Sequence, residues 1–245
     1  MKVELISWTK NPIMTIAHAA STCYQSEPNI KIVKGCIKSG HYSVVEHCNF
    51  TFEIKEISRA LLTQLTRHRI ASYSVLSQRY CDSSNADFVV PNSKNRDMYL
   101  EYYDKSKNAY VSLCEAGEKK EDARMVLPNG CCTTIVMTMN LRSLANFMNE
   151  RLCSRSQWEI RNMAKEMKKV VLECPDLKAE EKEIIELLLV PKCEKEAIKY
   201  CPEHSGCGKY KSLKTILAEK DSEIKRLWET LRGEIDNRDC ENYNF

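Results

Sequence analysis

Residues 67–80, RHRIASYSVLSQRY, contain the densest group of chemically capable side chains in this 245-residue sequence. Three arginines, one histidine and several hydroxyls occur in this short stretch. Guanidinium groups bind phosphate or carboxylate oxygens through paired hydrogen bonds, and neighbouring hydroxyls can complete such a site. The segment therefore indicates a loop that binds a phosphate or a carboxylate. The alternative is a solvated basic helix end, which the helix dipole stabilises at a C-terminus.

A second polar group is predicted on the helix that begins near residue 141. Arg142 and Asn146 are four residues apart and so share one face, while Arg151 lies at the edge of the apolar stripe. A cation at such an edge needs a partner or an anionic ligand, because burying it alone is costly. The alternative is that Arg151 extends to the solvent or pairs with Glu150 or Glu159.

The seven glycines exclude the usual glycine-rich phosphate loops. They are too scattered to form GxGxxG or GxxxxGK[ST]. A bound nucleotide would therefore have to be held by side chains. Arg124, an isolated cation in the apolar run ARMVLP, is a further candidate, although an arginine on a helix surface would give the same pattern.

Cysteine is frequent, with 13 residues, and the odd number does not suit a closed disulfide framework. The N-terminus lacks the layout of a secretory signal, so we expect a reducing, cytoplasmic location. Neither Cys153 nor Cys174 lies in a known catalytic signature. Near the C-terminus, four residues have the types and proximity of a zinc knuckle: Cys193, Cys201, His204 and Cys207. Free thiols or a labile disulfide are the alternatives, and we assign no metal site to them.

The overall charge separates two classes of function. The 37 basic and 34 acidic residues leave a net charge of +3, which gives no support to a polybasic nucleic-acid binder. A smaller nucleic-acid-binding module stays open as the alternative to an enzyme, with the basic helix end on phosphate and the last helix as a dimeriser. No apolar run approaches the ~18 residues of a membrane span.

The elements that position these residues alternate between helices and a few strands, which indicates an α+β fold with a mixed or antiparallel sheet flanked by helices. Strands are expected at 3–8, 49–57, 87–90 and 133–140, and the first of them at a sheet edge. Helices are expected at 12–24, 28–39, 58–69, up to 116, 119–127, 141–152, 156–173, 176–189 and 212–236. The stretch 70–86 is expected to be irregular.

Local signals refine this pattern. Gly40 is expected to end the second helix, and the spacing of Ser43 and Glu46 is typical of a capping box at a short helical turn. Ser58 is expected to cap the helix that leads to the arginine-rich segment. A change of amino-acid composition after Pro191 divides the chain into a domain at 1–190 and an extension at 191–245. The extension contains the cysteines of the zinc-knuckle interpretation and an amphipathic helix.

Taken in order, these motifs resemble the flavin-dependent thymidylate synthases. The segment 67–77 matches the family's RHR-x7-S signature, and GHYSVVEH at 40–47 resembles its GHxSxxEH segment. ARMVLP, TMNLRSLANFMNERL and SQWEI follow in the family's order. The resemblance covers about residues 1–175, and several ordered motifs make it specific.

The resemblance implies a curved sheet with flanking helices and a homotetramer whose active sites lie between subunits. It implies reductive methylation of dUMP to dTMP, with methylenetetrahydrofolate as carbon donor, FAD-mediated hydride transfer and NADPH as reductant. The family uses no cysteine nucleophile. Nucleic acid and membranes are not among the implied partners.

The resemblance also implies roles for individual residues. Flavin-contacting positions of the family match Ser43, Arg67, His68, Arg69, Asn140, Arg142 and Asn146. Nucleotide-binding positions match Gln64, Arg67, Ser77, Gln78, Arg79, Arg124 and Arg151. Among these, Arg151 is the implied catalytic residue, because it matches the arginine that favours the ionised uracil ring. His41 and Glu46 match positions that support the flavin site.

Three features depart from the family pattern. Ser74-Val75 replaces the usual Asn-Glu, Arg155 replaces a residue that is often histidine, and one extra residue precedes the RHR motif. These departures leave a further alternative, a degenerate homologue that binds flavin and dUMP but turns over poorly.

Overall fold

Four strands form one antiparallel sheet in the computed structural model, in the order β1-β2-β4-β3. The model describes residues 1–195 and 199–241, and the side chains of all of these except Tyr24 and 231–241. The strands are β1 (Lys2–Trp8), β2 (Asn49–Ser58), β3 (Ser72–Val75) and β4 (Cys132–Asn140). The predicted α+β fold, with β1 at a sheet edge, is confirmed.

The described helices lie around this sheet and in a second unit of the chain. They are α1 (Pro12–Tyr24), α2 (Ile30–Lys38), α3 (Arg59–Leu65), α4 (Arg96–Glu115), α5 (Lys120–Ala123), α6 (Leu141–Arg151), α7 (Trp158–Leu172), α8 (Ala179–Leu188) and α9 (Leu213–Glu241). Short 3₁₀ turns occur at Tyr42–His47, Arg124–Val126 and Lys192–Glu194. The helix predicted at 119–127 is therefore divided between α5 and a 3₁₀ turn.

Two predictions about strands were wrong. The stretch 70–86 contains β3, which pairs Tyr73 with Met137 and Val75 with Ile135 of β4. Its four residues alternate between exposed and half-buried, but the strand is short and its partner lies about sixty residues away in the chain. The strand predicted at 87–90 is absent, and Phe88 forms only an isolated bridge with Cys131.

The core lies on one face of the sheet. Alternate side chains of the two central strands are fully buried, including Phe50, Phe52, Ile135 and Met137. This alternation is the pattern of a half-buried antiparallel sheet, and it confirms the inward face predicted for β2. Helix α6 buries Leu141, Leu144, Phe147 and Met148 in the same core and so presents its polar face outward.

The turn after α2 was predicted correctly in one respect and wrongly in another. Gly40 has a φ of 74°, its N–H donates to the carbonyl of Ile37, and the N–H of His41 donates to that of Cys36. This pair of bonds is a Schellman motif, as expected for a C-terminal glycine. The helical turn at Tyr42–His47 is present, but Ser43 lies inside it and caps nothing, because His41 occupies the N-cap position.

The chain divides into two compact units, Met1–Pro191 and a second that begins at Lys192. In the second unit, α9 begins at Leu213, one residue after the predicted start, and extends further than the predicted residue 236. No group of three or more histidine, cysteine or acidic side chains within 1–195 and 199–241 is placed to hold a metal. The zinc-knuckle interpretation of Cys193, Cys201, His204 and Cys207 is therefore not supported by their geometry. No helix in the described ranges is long and apolar enough to cross a membrane.

Candidate active site

The arginine-rich segment, residues 67–80, follows directly after α3. Ser58 caps this helix, because its Oγ accepts the N–H of Leu61 at 3.0 Å. The helix ends at Leu65, four residues earlier than predicted. The hydroxyl of Tyr73 donates to the carbonyls of Leu65 and His68, at 3.1 and 2.7 Å, and so satisfies groups that a longer helix would have bonded internally.

His68 is half-buried against the core. Its ring meets the ring of Phe147 edge-on, with centroids 4.9 Å apart. Burial lowers the pKa of His68 below its usual value, the positive charge of Arg151 lowers it further, and Glu150 opposes the shift. The imidazole is therefore favoured in its neutral form, which has one nitrogen available as a hydrogen-bond acceptor.

Arg151 uses that acceptor. Its Nε donates to Nε2 of His68 at 3.0 Å, and Nη2 lies 3.4 Å from the backbone carbonyl of Gln64. The first bond requires the ring proton of His68 to be on Nδ1. The guanidinium is held by two neutral acceptors and keeps its full charge for a ligand. The alternative pairing of Arg151 with Glu159 is wrong, because Glu159 bonds to Ser58 instead.

The two neighbours of His68 in the RHR motif are exposed. Among the residues that the structure describes, neither Arg67 nor Arg69 forms an ion pair or a side-chain hydrogen bond. Gln64 lies on α3 and turns its side-chain amide back to the carbonyl of Ala60, at 3.3 Å. The structure thus brings Gln64, His68 and Arg151 together, with two uncommitted guanidinium groups in the same segment.

The remaining residues matched to flavin positions, which lie on or near α6 and the 3₁₀ turn at Tyr42–His47, differ in their hydrogen-bond partners. Arg142 forms an ion pair with Glu46, which joins α6 to the 3₁₀ turn at Tyr42–His47. Asn140 accepts the N–H of Ser143 at 2.8 Å and so caps α6, a local role that the sequence analysis did not identify. Ser43 and Asn146 are exposed, and within the described residues no hydrogen bond links either side chain to the others.

The nucleotide positions beyond β3 converge on a residue that the sequence analysis missed, Glu121. Arg79 donates from Nε to the carboxylate of Glu121 at 2.9 Å. Arg124 donates from Nε to the backbone carbonyl of the same residue at 3.0 Å. Sequence spacing could show only that Glu121 precedes Arg124 by three residues, whereas Arg79 lies 42 positions away.

The loop that contains Ser77 and Gln78 is held by hydrogen bonds within the loop and to neighbouring residues. The hydroxyl of Ser77 accepts the N–H of Arg79 at 3.2 Å, and the amide of Gln78 lies 3.4 Å from the sulfur of Cys131. A second missed residue, Arg59, donates from Nη2 to the carbonyl of Leu76 at 2.9 Å. Its Nε is buried without a hydrogen-bond partner among the described residues.

A third missed residue is Glu159, which is almost completely buried on α7. Its two carboxylate oxygens accept the backbone N–H and the hydroxyl of Ser58, at 2.7 and 2.6 Å. Because Ser58 caps α3, Glu159 anchors the start of the helix whose other end leads into the RHR motif. The two residues are 101 positions apart, so no local pattern could have joined them.

Two cavities of the first unit are lined mainly by residues outside the predicted site. One of about 640 Å³ is lined by residues that include Glu56, Phe88, Tyr103 and Trp158, and by none of the predicted site residues. Another, of about 360 Å³, includes only Gln78 from the predicted set. Neither of these two cavities is lined by an arginine of the predicted site.

Together, the α+β fold and its two arginine groups place guanidinium donors where they can bind anionic ligands. A family model described as "Thymidylate synthase complementing protein" matches residues 4–175. The chain belongs to this family, the flavin-dependent thymidylate synthases. The resemblance stated from the motifs is confirmed, and family membership favours an enzyme over a nucleic-acid-binding module.

Curated relatives carry the name flavin-dependent thymidylate synthase. The relative from Saccharolobus solfataricus is 46% identical over 191 residues, which cover 69% of this chain and 74% of that protein. The relative from Geobacter sulfurreducens is 42% identical over 190 residues, covering 70% and 82%. The one from Pyrococcus furiosus is 37% identical over 237 residues, covering 85% and 94%.

Solved structures agree with this assignment. A crystal structure of thymidylate synthase X from Helicobacter pylori, with FAD and dUMP, superimposes with a TM-score of 0.63 at 26% identity. The match covers 77% of this chain and 99% of that one. A second structure of the Helicobacter pylori enzyme complexed with FAD and dUMP gives the same TM-score at 27% identity.

Proposed function

We propose that this protein converts dUMP to dTMP by reductive methylation. Methylenetetrahydrofolate donates the carbon, FAD mediates hydride transfer and NADPH is the reductant. The observation that carries the proposal is the position of Arg151, a charged guanidinium fixed by two neutral acceptors next to the RHR motif. The solved relatives that bind FAD and dUMP support the choice of ligands.

The residues present fit a flavin nucleotide. FAD carries a diphosphate, which a chain without a glycine loop must hold by side-chain donors. Arg67 and Arg69 are exposed and have no carboxylate partner among the described residues, so their charge is available for such a group. When bound, FAD supplies hydride transfer, chemistry that no amino-acid side chain provides. The remaining chemistry falls to the residues of this chain.

Arg151 acts on the pyrimidine ring of the substrate. A guanidinium already held in place stabilises negative charge on the ring as it develops, without reorganising during the reaction. Two of its N–H groups are used by His68 and Gln64, and the others can reach the substrate. The neutral His68 is essential to this arrangement, because a protonated imidazole would repel the guanidinium and could not accept its hydrogen bond.

The phosphate of dUMP is assigned to the loop after β3. Arg79 and Arg124 already converge on one residue, and the Ser77 hydroxyl and the Gln78 amide lie in the same loop. Arginine side chains suit a phosphate monoester, because their forked donors match its oxygens. The binding of the phosphate here orients the base toward the catalytic arginine, a positioning effect that enzymes use to lower activation barriers.

No cysteine is assigned as a nucleophile. Burial raises the pKa of the Cys48 thiol to about 12 and that of Cys132 to about 11, and raises those of Cys131 and Cys174 as well. Thiols of this kind stay protonated near neutral pH and are poor nucleophiles. No disulfide joins cysteines in the described part of the chain. The reducing, cytoplasmic location expected from the sequence stays a proposal.

We also propose that the active sites form between subunits of a homotetramer. Large apolar side chains next to the site arginines are exposed in the single chain: Ile70 at 73%, Tyr80 at 74% and Met125 at 81%. Exposed apolar groups beside polar ones are typical of interaction surfaces. A second copy placed on this surface would cover these apolar side chains and the arginines beside them.

The proposal is tested with purified protein that contains its flavin. We expect visible flavin absorbance and dUMP-dependent release of the uracil C5 hydrogen in the presence of folate donor and NADPH. Arg151→Ala should lose turnover by at least about a hundredfold, the scale of a removed charge stabiliser. Its matched control is Arg96→Ala, an exposed arginine at the start of α4, which should keep wild-type turnover. Normal turnover by Arg151→Ala, or a protein without flavin or dUMP binding, would contradict the proposal.

A further inference from the structure

The carboxylate of Glu121 already pairs with one guanidinium group of the proposed phosphate site, that of Arg79. It forms an ion pair with Arg79 at 2.9 Å, while the backbone carbonyl of Glu121 accepts Nε of Arg124. The side chains of Arg79 and Glu121 are 53% and 37% exposed, so a ligand can reach the pair from the solvent. An anion that binds Arg79 therefore meets a carboxylate already in place.

A third guanidinium group, that of Arg59, lies near Arg124. Arg59 supports the same loop through the carbonyl of Leu76. Burial lowers the pKa of Arg59, and the charge of the nearby Arg124 lowers it further. Within the described residues Arg79 pairs with Glu121, whereas neither Arg59 nor Arg124 forms an ion pair with a carboxylate, so their charges favour the binding of a further anion.

We infer that Glu121 is a displaceable counter-ion for the substrate phosphate and that it determines how strongly this enzyme distinguishes a nucleotide from a nucleoside. The inference rests on the proposed function, since it takes Arg79 and Arg124 as the phosphate ligands. Without substrate, Glu121 holds Arg79 in place. When a phosphate monoester binds, it replaces the carboxylate on Arg79, and the Glu121 side chain moves into solvent.

This exchange has a measurable cost in affinity. An exposed ion pair is weak, so breaking it reduces ligand affinity by about twofold to fivefold. A carboxylate left near the bound phosphate adds like-charge repulsion. A nucleoside has no phosphate and leaves the Arg79–Glu121 pair intact. Removal of the charge at Glu121 should therefore improve the binding of dUMP and leave that of deoxyuridine unchanged.

The test compares Glu121→Gln with Glu118→Gln in the flavin-loaded enzyme. Glu118 is an exposed acidic residue three positions away, and no side-chain contact of it is seen within the described residues. Equilibrium dialysis measures Kd for dUMP and for deoxyuridine. We expect Glu121→Gln to bind dUMP about twofold to fivefold more tightly and deoxyuridine as before, while Glu118→Gln matches the wild type for both.

A double variant locates the effect. With Arg79→Gln in the background, Glu121→Gln should no longer improve dUMP binding, because the ion pair that it removes is already absent. Weaker or unchanged dUMP binding by Glu121→Gln would overturn the inference and would instead make Glu121 a permanent positioning group for Arg79. Equal improvement for deoxyuridine would also overturn it. A wild-type enzyme that binds no dUMP would refute the proposed function itself, which is a distinct result.

Discussion

Replacement of Glu159 provides a sharp test of how α3, the helix that leads into the RHR motif, is held. Glu159 and Ser58 are both almost completely buried, at 2% and 3% exposure, and two hydrogen bonds of 2.7 and 2.6 Å join them. In Glu159→Ala the N–H and hydroxyl of Ser58 lose their acceptors, and a small cavity remains. Buried donors left without partners cost about 1–3 kcal/mol each, so we expect a loss of about 3–5 kcal/mol in unfolding free energy.

A graded series makes this prediction specific. In Glu159→Gln one oxygen can still accept the Ser58 N–H, so about 1–2 kcal/mol should be lost. The control Glu166→Ala, exposed on the same helix, should change stability by less than about 0.5 kcal/mol. Urea unfolding at one fixed protein concentration measures all three, because the stability of the proposed tetramer would depend on concentration. A cost below about 1 kcal/mol for Glu159→Ala would refute the assigned role.

Three further predictions follow from other parts of the molecule. Because the pKa of His68 is lowered in the folded protein, the imidazole binds a proton more readily in the unfolded chain, and the free energy of unfolding should fall as pH drops below about 6.5. Urea midpoints at pH 8 and pH 5.5 should therefore differ more for the wild type than for His68→Gln. Each active site of the proposed tetramer could take Arg79 and Arg151 from different copies. In that case Arg79→Gln and Arg151→Ala chains that are mixed and reassembled should recover about a quarter of wild-type turnover. No recovery would mean that both residues come from the same copy. A chain that ends at Pro191, the boundary between the two units, should keep flavin absorbance and a cooperative melting transition, and its loss of flavin would tie the extension to the synthase domain.

The parts of the fold that sequence reasoning predicted well depend on local periodicity. The alternation of Phe50 and Phe52 in β2, and the apolar stripe of α6, identify a strand and a helix without knowledge of their partners. The motif RHR-x7-S could likewise be recognised from the sequence alone, because all of its residues lie in one short segment. The short strand β3 was missed because four residues carry too little pattern, and its pairing with β4 is a tertiary property.

Sequence analysis missed Glu121 and Glu159 for the same physical reason. Glu121 is joined to Arg79 across 42 positions and Glu159 to Ser58 across 101. Nothing in either local sequence distinguishes these acids from the solvated ones around them, because burial and pairing are decided by the packed structure. The departures at Val75 and Arg155 have modest structural consequences: Val75 packs against the core as the last residue of β3, and Arg155 is exposed.

The hydroxyl of Tyr73 has a consequence for the thermodynamics of ligand binding. It links two carbonyls only five and eight residues away, so the loop of the RHR motif is closed by contacts of short range in the chain. Burial raises the pKa of this hydroxyl to about 12, so it remains a donor throughout the physiological range. A loop closed in this way has already lost its conformational entropy during folding, and the arginines on it bind an anion without that cost. We therefore expect affinity at this motif to depend on charge and on salt concentration rather than on the ordering of the loop.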